Sequence, residues 1–214
     1  MSTSIGDGTI YAGKDIRQMI KLLPASEAQH MRRVGILTGI LAAEIHEHDS
    51  FSGASGLNGY SYFGDAAAYH DIGKAWVPGY ILAKPGELTE EETAIVKRHP
   101  IFARDLFERI NSGSITGVPK HLIKLASHAA VYHHEWWNGN GYPYEINADN
   151  IPLIARITSV CDAYDAITHD RSFRKSRSHY YACSELDKCA GTQFDPKIVK
   201  VFLDHERVFL TLNV

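Results

Sequence analysis

The chain has 214 residues, 44% hydrophobic and 22% charged, with 22 Lys and Arg against 25 Asp and Glu for a formal net charge of −3. That length suits one domain with its own core, and the composition excludes disordered, collagenous and disulfide-scaffold proteins. The balance of charge excludes the basic field that long nucleic acid requires, while 12 histidines raise the question of whether these imidazoles, the commonest metal ligands, converge.

Residues 1–14 are rich in Gly, Ser and Thr and lack the basic-then-apolar pattern of a secretory signal. The longest apolar stretch, Val34 to Ile45, falls short of the roughly 18 residues a spanning helix needs. A cytoplasmic protein with no membrane association is expected. Residues 1–24 read as an N-terminal extension with a short helix, and 25–214 as one domain. From Ser26, a candidate cap, to Glu47 the apolar residues Met31, Val34, Leu37, Ile40, Leu41 and Ile45 recur near the helical period. Phe51 to Tyr62 is a Gly/Ser/Asn-rich loop, and Gly64 to Lys74 a short helix. Thr89 caps a helix running to Arg98, with acidic residues in its first turn. His99-Pro100 breaks it, and Pro100 opens the next helix, to about Ile110. Pro119 to His133 is helical. Glu135 to Asn150, with two Trp and several turn residues, is a structured loop, anchored in the core by Trp136 and Trp137. Ile151 to Thr168, Ser178 to Cys189 and Pro196 to Leu210 complete the set. With no alternating strand pattern, the expected fold is all-α, a single-domain helical bundle of about seven to nine helices. Cys161, Cys183 and Cys189 show neither a disulfide framework nor metal-ligand spacing, which predicts reduced core thiols.

Chemistry-bearing residues recur along this pattern. His70-Asp71 places an imidazole beside a carboxylate, and Lys74, at i+4 and i+3 from them, shares their face if the segment is helical. The first two suit a divalent transition metal and the third an anion held beside it. His133-His134 would be costly to bury unpaired. Asp162 lies within an apolar helix, where an acid is rarely buried without a partner, and Asp165 shares its face. His30 and His99 gain weight only from this company. Each element also has a plain alternative, a surface histidine or a wet helix face.

Taken in order, His70-Asp71-Ile72-Gly73-Lys74, Ile81 to Thr89, His99-Pro100, His133-His134-Glu135, Gly139-Asn140-Gly141-Tyr142-Pro143, Ile151 to Ile157, Asp162 to Ala166, Asp170-Arg171 and Gly191 to Pro196 resemble the HD-GYP family. This is the cyclic di-GMP phosphodiesterase branch of the HD metal-dependent phosphohydrolases, and the resemblance runs from His30 to Phe202. It implies a di-metal centre in the core of the bundle, with His30, His70, His99, His133, His134 and Asp162 as ligands and Asp71 bridging. Two divalent ions, iron or manganese, would activate a shared hydroxide for in-line attack on phosphorus. Lys74 would neutralise charge on the phosphate, and Arg171, Arg174 and Lys175 would hold it. Tyr142 would reach the nucleotide base. Glu27 lies one position off the register at which some members place a ligand for a third metal, which favours two. Asn138 and His169 stand where the family commonly has Asp and Ser, and the insertion around Ser52 to Tyr60 could form a lid.

The resemblance thus implies hydrolysis of cyclic di-GMP to linear pGpG and leaves open a second step to GMP. It leaves open another cyclic dinucleotide, such as cyclic GMP-AMP, and a non-catalytic sensor or adaptor. A di-iron oxygenase fits the ligands but not Lys74, Arg171 and Arg174. With about 25 residues before the first histidine helix, no sensory domain is expected, so regulation would come from a regulatory protein, a cyclase partner or oligomerisation.

Overall fold

The structure is a computed structural model that describes residues 15–47, 60–170 and 175–211. Among these residues it is all helical, with eleven α-helical segments and four 3-10 turns, and two isolated bridges, Asp15–Thr116 and Ala190–Phe194. Eight of the eleven reach seven residues or more, within the expected range, and the three others have four or five.

Helix α1 (Ile16–Leu22) starts at Asp15, whose carboxylate accepts the Arg17 backbone N–H at 2.8 Å. Ile16 and Met19 are buried, and the Ile16 N–H donates to the Thr116 carbonyl at 2.8 Å. The N-terminal helix is thereby part of the common core. Helix α2 (Ala25–Glu47) begins one residue before Ser26, so Ser26 is not its cap. The Pro24 carbonyl accepts from Glu27 and Ala28 instead. Its apolar face, Met31, Val34, Leu37, Leu41 and Ile45, is buried, and full burial of each such side chain contributes about 1.5–3 kcal/mol. That face packs on α3 (Phe63–Ala67) and α8 (Leu153–Thr168).

The segment expected as one helix from Gly64 to Lys74 divides. Helix α3 stops at Ala67, His70 and Asp71 occupy a turn, and a 3-10 turn covers Ile72–Trp76. A short α4 (Gly79–Leu82) follows Pro78. Helix α5 (Glu90–Val96) has a capping box, Thr89 accepting from the Glu92 N–H at 3.2 Å and Glu92 accepting from the Thr89 N–H at 2.8 Å. Helices α6 (His99–Asn111) and α7 (Ile123–Tyr132) pack on each other, and α7 on α3 and α8. Then come α9 (His179–Lys188), capped by Ser178, and α10 (Pro196–Asp204), capped by Asp195.

The expected single helix from Pro196 to Leu210 breaks at His205 (φ −115°, ψ 20°), and α11 covers Glu206–Leu210. His205 Nδ1 lies 3.0 Å from Glu44 Oε2, and the bend brings Phe209 onto Phe202 at 4.2 Å between ring centroids. No proline or glycine marks this break. Cys161 and Cys183 are buried and Cys189 is half-buried, all without disulfides. Trp136 and Trp137 are half-buried rather than core residues. No helix among the described residues is long and apolar enough to cross a membrane. The insertion at Ser52 falls outside the described residues.

Candidate metal centre

Five elements meet around the carboxylate of Asp71, which is buried at the start of the 3-10 turn. His30 comes from α2, His70 from the turn after α3, His99 from the first position of α6, His133 and His134 from the end of α7, and Asp162 from α8. All seven residues expected at the centre are brought together. They form two groups, His30, His70 and Asp162, and Asp71, His99, His133 and His134, with the ligand atoms in each within 4.8 Å of one another. Asp71 Oδ2 lies 3.6 Å from His30 Nε2 and 3.3 Å from His70 Nε2. Its Oδ1 lies 3.2 Å from His99 Nε2 and 3.8 Å from His133 Nε2. One carboxylate thus faces both groups, one oxygen to each.

The far nitrogen of four rings is held from behind. Nδ1 of His70, His99 and His133 lies 2.9–3.0 Å from the Ala67, Val96 and Ala129 carbonyls. A carbonyl can only accept, so each Nδ1 donates its proton and each Nε2 turns a lone pair inward. His30 Nδ1 meets Asp165 Oδ2 at 2.6 Å, and Arg33 grips the same carboxylate at 2.6 and 2.9 Å. Such outer contacts set the tautomer and orientation of metal-binding histidines.

The electrostatics follow from this crowding. Burial pulls His99 down to about 4 and His134 to about 3, and it holds His133 well below its ordinary value with help from the neighbouring imidazoles. These three are neutral and ready to ligate. Burial also opposes a charged His30, but Asp162 and Asp165 outweigh it and raise that imidazole to about 9. Asp71 and Asp162 are held well below the usual carboxylate range against their burial, Asp71 chiefly by Lys74 and His70 and Asp162 by His30.

Two buried atoms in the middle, His70 Nε2 and Asp71 Oδ1, have no hydrogen-bond partner. Asp71 Oδ1 faces the His99 and His133 Nε2 acceptors at 3.2 and 3.8 Å, an arrangement that is costly unless a cation lies between them. The mixed imidazole and carboxylate set suits a divalent transition metal, and the seven residues fit two such ions sharing Asp71.

Lys74 extends from the 3-10 turn to Asp71 Oδ2 at 2.7 Å and to Glu27 Oε2 at 2.7 Å. The i+3 spacing holds although the backbone is not an α-helix. Glu27 is therefore a counter-ion of Lys74. Tyr142 stacks on His134 with ring centroids 4.7 Å apart. Its loop is tight at Gly141, where a Cβ would lie 2.2 Å from the Trp136 nitrogen. The buried Glu135 carboxylate accepts the Tyr144 and Ile146 N–H groups at 2.7 and 3.2 Å, and the Trp137 and Asn138 N–H groups donate to the Gln193 and Thr192 carbonyls. Lys175 is exposed and pairs with Asp170 at 2.9 Å. Arg171 and Arg174 lie outside the described residues.

Sequence reasoning missed Asp165 and Arg33 as the support of His30, Glu27 as the partner of Lys74, and Glu135 as the brace of the loop. A signal existed for the first pair, since Arg33 is i+3 from His30 and Asp165 i+3 from Asp162.

Comparison with known proteins places the chain in a family. Residues 61–198 match the HD domain family, and the chain belongs to that family. Among curated relatives, a probable cyclic di-GMP phosphodiesterase of Vibrio cholerae is 32% identical over 86% of this chain and 41% of its own length. A cyclic di-GMP phosphodiesterase of Thermotoga maritima is 32% identical over 84% of this chain and 44% of its own. A 3'3'-cGAMP-specific phosphodiesterase of V. cholerae is 33% identical over 70% of this chain and 27% of its own. The chain thus spans less than half the length of each. Among solved structures, the HD domain of the Listeria monocytogenes phosphodiesterase PgpH, in complex with cyclic-di-AMP, superposes with a TM-score of 0.57 at 14% identity, covering 93% of this chain and 98% of that one.

Proposed function

We propose that this chain hydrolyses a phosphodiester bond of a cyclic dinucleotide, cyclic di-GMP first, at a centre of two divalent ions. The observation that carries the reading is the inward set of Nε2 lone pairs and the partnerless Asp71 Oδ1 and His70 Nε2. The named activities of the relatives supply the substrate class. His30, His70 and Asp162 would hold one ion and His99, His133 and His134 the other, with the Asp71 carboxylate available to both. Iron or manganese is the expected metal. Divalent ions held there would supply Lewis acidity for hydrolysis of a phosphodiester.

The protein's own part is positional and electrostatic. Lys74 keeps Asp71 ionised from 2.7 Å, and its charge faces the negative charge that builds on the phosphate. Glu27 holds that ammonium in place and acts as its counter-ion, which supports two ions over three. Tyr142, fixed against His134, is the aromatic assigned to the nucleotide. Arg171, Arg174 and Lys175 are assigned to phosphate, and Lys175 must first leave Asp170.

Product analysis tests the reading. The protein, loaded anaerobically with Fe(II) or with Mn(II), is incubated with cyclic di-GMP beside a His70→Ala, Asp71→Ala double variant. Linear dinucleotide or GMP from the unaltered protein alone is the expected result. No turnover with either metal, together with measurable cyclic di-GMP binding, would instead identify a sensor. The 33% identity to a cGAMP-specific enzyme favours 3'3'-cGAMP as the second substrate, run in parallel.

A further inference from the structure

A separate group of ligand atoms lies beyond the far side of α8. His179 and Cys183 are i and i+4 on α9, and Glu206 opens α11. Sγ of Cys183 is 3.5 Å from His179 Nε2, and Glu206 Oε2 is 3.6 Å from the same nitrogen. All three atoms fall within 4.8 Å of one another. His179 and Cys183 are buried, and Glu206 is half-buried with its side chain 36% exposed. The spacing joins a Cys to a His one helical turn away, and the third ligand arrives through the unforeseen bend at His205.

Tetrahedral zinc sits about 2.3 Å from a thiolate sulfur and about 2.0–2.1 Å from an imidazole nitrogen or carboxylate oxygen. At tetrahedral angles those lengths separate sulfur from nitrogen by about 3.5 Å and nitrogen from oxygen by about 3.4 Å. The two observed edges of 3.5 and 3.6 Å match these lengths. The outer contact is in place too. His179 Nδ1 lies 2.8 Å from the Tyr164 hydroxyl, a contact of the kind that fixes the tautomer of metal-bound histidines, while Cys183 Sγ lies 4.0 Å from the same Nδ1, beside the ring, so ligation through Nε2 requires the Cys183 side chain to rotate toward that nitrogen.

We propose that His179, Cys183 and Glu206 form a second metal site, distinct from the centre at Asp71, that takes one zinc ion through Nε2, thiolate and carboxylate with its fourth position open to solvent. The thiol proton passes to solvent as the Zn–S bond forms, and no oxidation is involved. Without metal, burial and the Glu206 carboxylate raise the Cys183 thiol to about 12, so the site holds a neutral thiol until a cation inverts that preference. A bound ion ties α11 to α9 and, through Tyr164, to the helix that carries Asp162.

The centre at Asp71 contains only nitrogen and oxygen donors, so a thiolate signature reports the new site alone. The full chain is titrated with Co(II) under anaerobic conditions, following the near-ultraviolet thiolate-to-cobalt charge-transfer band and the bound metal per chain. The band is expected to appear, to be displaced by Zn(II), and to vanish in Cys183→Ser together with about one equivalent of bound cobalt. Absence of the band in the unaltered protein, or the same band in Cys183→Ser, overturns the site. Glu206→Gln, at a half-buried position, provides the variant least disturbing to the fold. It is expected to weaken cobalt binding at this site by about tenfold or more, and an unchanged affinity counts against the proposal.

Discussion

Replacing Gly73 by Ala tests whether the metal centre depends on the close approach of two backbone segments. A Cβ at Gly73 would lie 1.9 Å from the His99 carbonyl oxygen and 2.8 Å from the Ala103 nitrogen. Both neighbours are main chain of α6, so no flexible side-chain tip can yield. Restoring even 3.0 Å to the His99 oxygen requires a retreat of about 1 Å. Metal–ligand distances tolerate about 0.2 Å, so His99 leaves ligand range of the ion it shares with His133 and His134. The expected result is loss of about one bound ion per chain and a fall in turnover of about 100-fold or more. Overpacking should also cost about 1–3 kcal/mol, or roughly 2–12 °C in melting temperature at this chain length. Metal content after anaerobic Mn(II) loading, turnover of cyclic di-GMP and a thermal melt of the metal-free protein measure the three effects. Gly79→Ala, where nothing lies within 4 Å of the added Cβ, is the silent control. Two ions and full turnover in Gly73→Ala would refute the reasoning.

Three more predictions concern the same centre and its scaffold. Asp165→Asn removes the carboxylate behind His30 and should weaken metal binding at the His30, His70 and Asp162 end by about 10–100-fold, measured by competition with a chelating indicator. Because His30 carries a proton below about pH 9, a metal must displace it. Affinity at that end should rise with pH up to about 9 with release of one proton, while the end built on His99 and His134, already neutral above about 4, should stay flat from pH 6 upward. Titration in weakly buffered solution with a pH indicator separates the two, and an equal slope at both ends would count against this assignment. Thr89→Ala removes one half of the capping box on α5 and should cost about 1 kcal/mol, a drop of about 2–4 °C in melting temperature, with metal content unchanged.

Much of the metal centre is legible in the sequence because its residues are costly to bury without a purpose. Asp162 in an apolar helix and the paired His133 and His134 signal a buried polar cluster by residue type and position alone. The long helix and the Thr89 cap are equally readable, since periodicity and capping are local, although the cap expected at Ser26 is not one. What escapes depends on tertiary contact. The turn at His70 and Asp71 replaces a helix because Gly73 admits the α6 backbone, and no pattern within residues 64–74 announces that approach. The break at His205 rests on Glu44, far away in sequence. Asp165 suits a wet helix face as well as a buried one, and only the arrival of His30 and Arg33 from α2 decides between them.

The two backbone hydrogen bonds from Trp137 and Asn138 to Gln193 and Thr192 have a bearing on how the protein is made. A nascent chain emerges N-terminus first, so every residue of the metal centre leaves the ribosome before the turn on which the Tyr142 loop rests. The final segment, with Arg156 closing on Asp195 at 2.8 Å, then seats the loop. A chain cut short before Gly191 would keep all seven ligand residues and the Glu135 brace but lose the two backbone anchors of Trp137 and Asn138 and the core side chains Ile198 and Phe202.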